Sequence, residues 1–329
     1  MHVLIVKHGA LGDVVRTSYF AGPMRRKWGP QMRLSWITAK SAQPLLQFHP
    51  AIDDLWTGFD DARGFTFDHI FSLDDELAVL QEVQALQTRR LIGAHLDEHA
   101  APAYSDDASE WFDMGLLSRY GKQRADRLKQ LNTKGHGAMH AAMFGVGAEP
   151  AFHGDRALED WAQTWIGAER PVLGINPYAG GRWPSKELRD DELRKMLRAL
   201  LDGRTHLGSR CRVVLLGLGA DRQRNASLAR EFGDARLRVA DTDDSTLRLA
   251  AIVRALDCII SSDSLAMHLA IAQRVPTIAF FAPTSAAEID SFGQVEKVIS
   301  TASDYCSYKS DADNGSITAE RLLASLPQA

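Results

Sequence analysis

A chain of 329 residues, 45% of them apolar, is long enough to build two hydrophobic cores. Its formal charge of −4 and isoelectric point near 6.3 give no global basic field, which argues against a nucleic-acid partner. No apolar run reaches the roughly 18 residues that span a bilayer, and the apolar start at 3–6 is too short for a signal peptide.

The chain opens as alternating strand and helix. Apolar runs at 3–6, 34–37, 69–73 and 90–92 predict strands, and 14–28, 41–48 and 75–87 predict helices. Short apolar strands separated by helices imply a parallel sheet covered on both faces. Periodicity is lost over 97–119, around Pro102, Tyr104 and Trp111, and helical patterns return near 120–131 and 136–145. The stretch 147–156, "GAEPAFHGDR", has the composition of a linker. A helix at 158–166 leads into a clearer second series, with strands at 172–175, 212–216, 258–261 and 277–281. Its helices are predicted at 190–201, 221–232, 245–254 and 265–272, and one at 317–326 closes the chain. The expected fold class is α/β: two Rossmann-like domains, 1–155 and 156–329, facing a central cleft, with the last helix packing back on the first domain.

Three turns in the second half carry chemistry. In "CIISSDSLAMHLAIAQRVPTIAFFAPTS" (258–285) a strand ends at Ser262 and Asp263, and Ser264, Leu265 and Ala266 open a helix whose unpaired N–H groups and dipole suit an anion. Asp263 either caps that helix or accepts from a sugar hydroxyl; His268, one turn on, faces the same cleft or packs in the core. In "GINPYAGGRWPSKEL" (174–188), Gly180 and Gly181 permit close backbone approach, and Arg182 offers a planar fork to a diphosphate or seals the loop with Trp183. Tyr178 lies in the same loop and is grouped with the donor-binding residues. In "VVLLGLGADRQRN" (213–225), Asp221 either receives ribose hydroxyls or complements the helix dipole. All three turns fall at the carboxyl ends of parallel strands, where open α/β sheets bind ligands, and their mix of glycines, helix starts and carboxylates suits a nucleotide diphosphate.

"VKHGALGDVVRT", "GGRWPSKEL", "SSDSLAMHLAIA" and "FFAPTS" resemble, in order and spacing, the motifs of glycosyltransferase family 9, the ADP-heptose transferases of lipopolysaccharide core assembly and their relatives. The likeness covers about 1–95 and 170–329 and is vague over 97–155, the part that varies with acceptor. It implies a GT-B fold, with the acceptor on the first domain and the nucleotide sugar on the second. It also implies inverting, metal-independent transfer with no cofactor beyond the ADP-sugar donor. Carried onto matching positions, Asp13 becomes the general base, Asp263 and the backbone of 264–266 hold sugar and diphosphate, His268 lines that site, and Asp221 meets the ribose. Gly9 and Gly12 would let the acceptor ring come close. Lys7 would either steady the leaving phosphate or pair with Asp13. The helix start favours the ionised form of Asp13, a modest base whose proton transfer would come late. Where family members carry a lysine two residues before Trp-Pro, this chain has Gly181, with Arg182 beside it. Residues 50–120 hold fifteen Asp and Glu against Arg63, Arg89, Arg90 and Arg119 and no lysine, a poor surface for a strongly anionic acceptor.

Other chemistries fit less well. Asp241 and Asp243 form the Asp-x-Asp of metal-dependent glycosyltransferases, but they stand just before a helix, where Asp243, Asp244 and Ser245 read as caps. "GALGDV" lacks the GxGxxG of dinucleotide binding. A nucleotide-sugar epimerase and a non-catalytic nucleotide-sugar binder share the two-domain plan and stand as alternatives. Cys211, Cys258 and Cys306, without CxxC spacing, read as reduced buried thiols, which places the protein in the cytoplasm. Arg25, Arg26, Lys27 and Trp28 end the first helix either as a solvated terminus or as a peripheral contact with the inner membrane.

Overall fold

The structure, a computed structural model, describes residues 1–181 and 183–327. The chain divides into two compact units, Met1–His153 and Gly154–Ala329.

The first unit is built on strands β1 (His2–Val6), β2 (Arg33–Ile37), β3 (Asp54–Trp56), β5 (His69–Ser72), β7 (Leu91–Leu96) and β8 (Pro102–Tyr104), in the order β3-β2-β1-β5-β7-β8. All pairings are parallel except β8 on β7. A separate ribbon pairs β4 (Thr66–Phe67) with β6 (Gln87–Thr88). The helices are α1 (Leu11–Ser18), α2 (Ala21–Trp28), α3 (Leu77–Gln84), α4 (Ser109–Phe112), α5 (Lys122–Leu131) and α6 (His136–Phe144). Side-chain alternation along β1 sends Val3 and Ile5 into one apolar cluster and Leu4 and Val6 into another. The sheet is therefore covered on both faces, which is why its central strand is apolar at every position but one.

The second unit repeats the plan with every pairing parallel: β9 (Val172–Asn176), β10 (Arg212–Leu215), β11 (Leu237–Val239), β12 (Cys258–Ser262), β13 (Thr277–Phe281) and β14 (Val295–Ile299), ordered β11-β10-β9-β12-β13-β14. Its helices are α7 (Arg156–Ile166), α8 (Asp190–Leu201), α9 (Gly219–Phe232), α10 (Thr246–Arg254), α11 (Leu265–Ala272) and α12 (Ala319–Ala324). In each sheet the strand order reverses beside the first strand, leaving a crevice at the carboxyl ends of β1 and β5, and of β9 and β12.

Several elements depart from the sequence pattern for identifiable reasons. The single helix expected over 14–28 is two, because Pro23 has no N–H for a continuing helix and is tolerated only in a first turn. The Tyr19 carbonyl, freed by the break, accepts from Glu149 N–H at 3.0 Å. The helix expected over 41–48 shrinks to a single 3-10 turn, Gln43–Leu45, around Pro44. The edge strands β3, β8, β11 and β14 escape the sequence pattern because they are short or largely polar. The last helix packs on α8 of its own unit: Leu322 joins the second unit's core and Glu192 Oε2 accepts the Ala319 N–H at 2.7 Å.

Gly93 is fixed by this architecture. It stands opposite Ser72 in the β5–β7 pair with a φ of +104°, and a β-carbon there would lie 2.0 Å from the Ser72 carbonyl oxygen. Gly93→Ala should cost roughly 3 kcal/mol of stability, read from the denaturation midpoint. Two histidines should shape the acid limb of stability. Burial lowers His49 to about 4 and His140 to about 3, so both are neutral in the folded chain near pH 7. The unfolded chain takes up these protons as pH falls through about 6.5 and the folded chain does not, so stability is complete above that value and declines below it. His140→Phe should reduce that slope by about 1.4 kcal/mol per pH unit between about 6 and 4, measured by urea denaturation at several pH values.

Candidate active site

In the first unit β1 ends at Val6 and delivers Lys7, His8 and Gly9 to the crevice. Asp74, just beyond β5, clamps this turn: Oδ1 is 2.6 Å from Lys7 Nζ and Oδ2 accepts the His8 N–H at 2.5 Å. Burial opposes the Lys7 ammonium, but the charges of Asp74 and then Asp13 override it, and the pKa rises. Lys7 is thus committed to Asp74.

Asp13 is the third residue of α1. The N-cap is Ala10, and no side chain caps the helix. The Asp13 carboxylate, a third exposed, lies 2.9 Å from Arg16 one turn on. Arg16 is nearly buried, its guanidinium 5.2 Å above the Trp111 ring. Trp111 in turn packs edge-on against His136 and His140, at 5.3 and 4.8 Å between ring centroids. An aromatic floor of Trp111, from the segment without sequence periodicity, and two α6 histidines therefore supports the partner of Asp13. Gly9 is open: a β-carbon there would meet nothing within 4 Å. Gly12 is the second residue of α1.

In the second unit Asn176, the last residue of β9, gathers the crevice. Its amide donates to the Tyr178 carbonyl at 3.0 Å and to Ser264 Oγ at 2.8 Å, with Ser262 Oγ at 3.3 Å. Ser262 Oγ also donates to the Tyr178 carbonyl at 2.6 Å. The β9 loop and the β12–α11 turn are thereby one rigid piece. The Tyr178 ring is buried, with the Arg224 guanidinium 3.6 Å above it. Gly180 and Gly181 follow with φ of +72° and +76° and open space where β-carbons would stand. The Gly180 N–H donates to Asp221 Oδ2 at 3.1 Å, which ties the β10–α9 turn to the same loop. Burial raises the Asp221 pKa, opposed by that N–H. Arg182 lies outside the described residues.

Ser264 is the N-cap of α11 and no side chain caps the helix. The N–H groups of its first turn are available to an anion. Beside them Asp263 Oδ2 lies 2.9 Å from Lys186 Nζ, and His268 Nε2 is 3.9 Å from Oδ1. Burial alone would raise the Asp263 pKa; Lys186, His268 and the Thr284 hydroxyl outweigh it and hold it at about 2. The turn thus presents a buried, ionised carboxylate, a lysine one-fifth exposed and a helix start.

Tyr178, Gly180, Asp221, Asp263, Ser264, Leu265, Ala266 and His268 all meet at this one sheet edge. Asp74, Asn176 and Lys186 escaped the sequence pattern. Lys186 stood in the quoted "RWPSKEL", but its pairing with a residue 77 positions away leaves no local signal. The acidic run at 241–244 is engaged by neighbours: Asp241 with Arg222 and Arg248, Asp243 with Arg248, and Asp244 accepting the Gly219 N–H at 2.7 Å. Ser245 caps α10. Among the described residues no group of three His, Cys, Asp or Glu side chains could hold a metal ion.

Comparison with known proteins places this geometry. Among curated proteins, none matches the chain. Among solved structures, the glycosyl transferase family 9 from Veillonella parvula aligns with 98% of this chain and 97% of its own, at 18% identity and a TM-score of 0.73. The E. coli ADP-heptose lps heptosyltransferase II aligns with the same shares, at 17% identity and 0.65. E. coli heptosyltransferase WaaC, solved with ADP-2-deoxy-2-fluoro heptose, aligns with 97% of each chain, at 15% identity and 0.61. At such identities these likenesses establish the fold, a GT-B arrangement of two α/β units. The family model Glycosyltransferase family 9 (heptosyltransferase) matches residues 120–315. That match spans more than half of the chain and takes in every turn described for the second unit, so the chain belongs to glycosyltransferase family 9 and is a heptosyltransferase-like glycosyltransferase.

Proposed function

We propose that this enzyme moves a sugar, heptose from ADP-heptose in the first instance, to a hydroxyl of a glycan or other glycoconjugate, with inversion and without a metal or other cofactor. The observation that carries this reading is the open start of α11 beside the Lys186–Asp263 pair. The α11 amides and Lys186 receive the donor diphosphate, and Asp263 orients the lysine and accepts from a sugar hydroxyl. That E. coli WaaC was solved with an ADP-heptose analogue supports the choice of donor.

In the displacement, the acceptor oxygen bonds to the anomeric carbon from the face opposite the diphosphate, and the carbon–oxygen bond to phosphate breaks. The acceptor proton passes to Asp13, and the leaving ADP carries away the electron pair as a phosphate oxyanion. Lysine and helix start supply the charge compensation that a divalent ion gives in other glycosyltransferases. Open backbone at Gly9 lets the acceptor approach. Arg63, Arg89, Arg90 and Arg119 all pair with neighbouring carboxylates, which supports an acceptor of low negative charge. Cys211, Cys258 and Cys306 are buried thiols outside any disulfide, which fits a reducing compartment, the cytoplasm.

Asp13→Asn should lower acceptor-dependent ADP release by roughly 100-fold or more. Its affinity for ADP-heptose, by calorimetry, should stay unchanged; retained turnover removes Asp13 as the base. Sugar conversion in the absence of any acceptor would favour an epimerase instead. Lys186→Met should weaken ADP binding roughly 10- to 100-fold and AMP binding little, because a charge-assisted hydrogen bond to the β-phosphate is lost. Equal loss for ADP and AMP would reduce Lys186 to a structural partner of Asp263.

A further inference from the structure

Two basic clusters of the first unit differ in what they touch. Arg25, Arg26 and Lys27, at the end of α2, are engaged inside the fold. Arg25 donates to the Met32 and Ala51 carbonyls and pairs with Asp53, Arg26 pairs with Glu149, and Lys27 donates to the Gly145 carbonyl. These contacts favour the solvated helix end over a membrane contact there.

The second cluster is turned outward. Helix α5 buries Ala125 alone. Arg124, Arg127 and Leu131, three and four positions apart, share its exposed face. Neither Arg124 nor Arg127 has an ion-pair partner among the described residues. Leu131 is 59% exposed, and the turn leading into the helix carries Leu116 at 88% and Tyr120 at 57%. These are three of the six large apolar side chains exposed among the described residues, gathered within one short stretch. Residues 116–134 hold Arg119, Lys122, Arg124, Arg127, Lys129 and Lys134 against Asp126 alone, in a chain of net charge −4. Apolar side chains in water beside unpaired guanidinium groups are what a helix lying in a bilayer interface presents.

We propose that residues 116–131 are a peripheral docking surface for an anionic phospholipid bilayer. Leu116, Tyr120 and Leu131 enter the interfacial region, and Arg124 and Arg127 pair with headgroup phosphates. Charge complementarity selects this occupant. A second copy would set one cationic face against another, and a nucleic acid would engage the arginines while leaving the apolar side chains in water. The surface is independent of the donor assigned above.

Flotation of the full chain with vesicles tests it. The protein should rise with vesicles containing about one third phosphatidylglycerol and not with phosphatidylcholine alone, less so as salt increases. Arg124→Glu with Arg127→Glu, and separately Leu116→Ser with Leu131→Ser, should each weaken binding by roughly tenfold or more. All four positions are exposed, so the variants should melt like the parent, which a thermal scan checks. Absence of flotation, equal binding to neutral vesicles, or unchanged binding by both double variants overturns the proposal. So does a dimer in sedimentation that the leucine variant abolishes, or competition by duplex DNA that the leucine variant leaves intact.

Discussion

The side-chain amide of Asn176 is the point on which the second unit's chemistry depends. Reversal of strand order beside β9 opens a crevice, and an open crevice in a parallel sheet is lined by loops with polar backbone to satisfy. One buried amide supplies donors to Tyr178, Ser262 and Ser264 together and fixes the start of α11 against the glycine loop. A helix start recruits an anion only if its N–H groups point at a fixed place; Asn176 provides that fixity. Asp74 does the equivalent work in the first unit, where one carboxylate satisfies both a lysine and a backbone N–H at the end of β1.

Charge in both crevices is arranged by pairing. Lys186 and Asp263 offset one another's burial, and their proximity to the α11 amides keeps the local field suited to phosphate. Removing either partner of such a pair strands a buried charge, so the two side chains constrain each other strongly. Asp13 stands in contrast. It is a third exposed and pairs with Arg16 at 2.9 Å on the surface of its helix.

Much of this was legible in the residues. The ends of α8 and α11 follow the sequence pattern, because an acidic first turn at Asp190, Asp191 and Glu192 announces one helix and Ser264 the other. The apolar runs of β1, β9, β12 and β13 announce buried parallel strands. What the pattern concealed was of two kinds. Edge strands such as β11 and β14 bury little and so carry no strong period. Long-range pairings such as Lys7 with Asp74 and Lys186 with Asp263 are set by topology rather than by neighbours.

The aromatic floor beneath Arg16 couples parts of the first unit that lie far apart in sequence. Trp111 comes from the stretch without sequence periodicity and His136 and His140 from α6, and together they seat the guanidinium that pairs with Asp13. Exchanging the segment that carries Trp111 would therefore also disturb the setting of Arg16 and, through it, of Asp13. An irregular stretch more than ninety residues away in sequence thus sets the surroundings of a side chain at the first helix start.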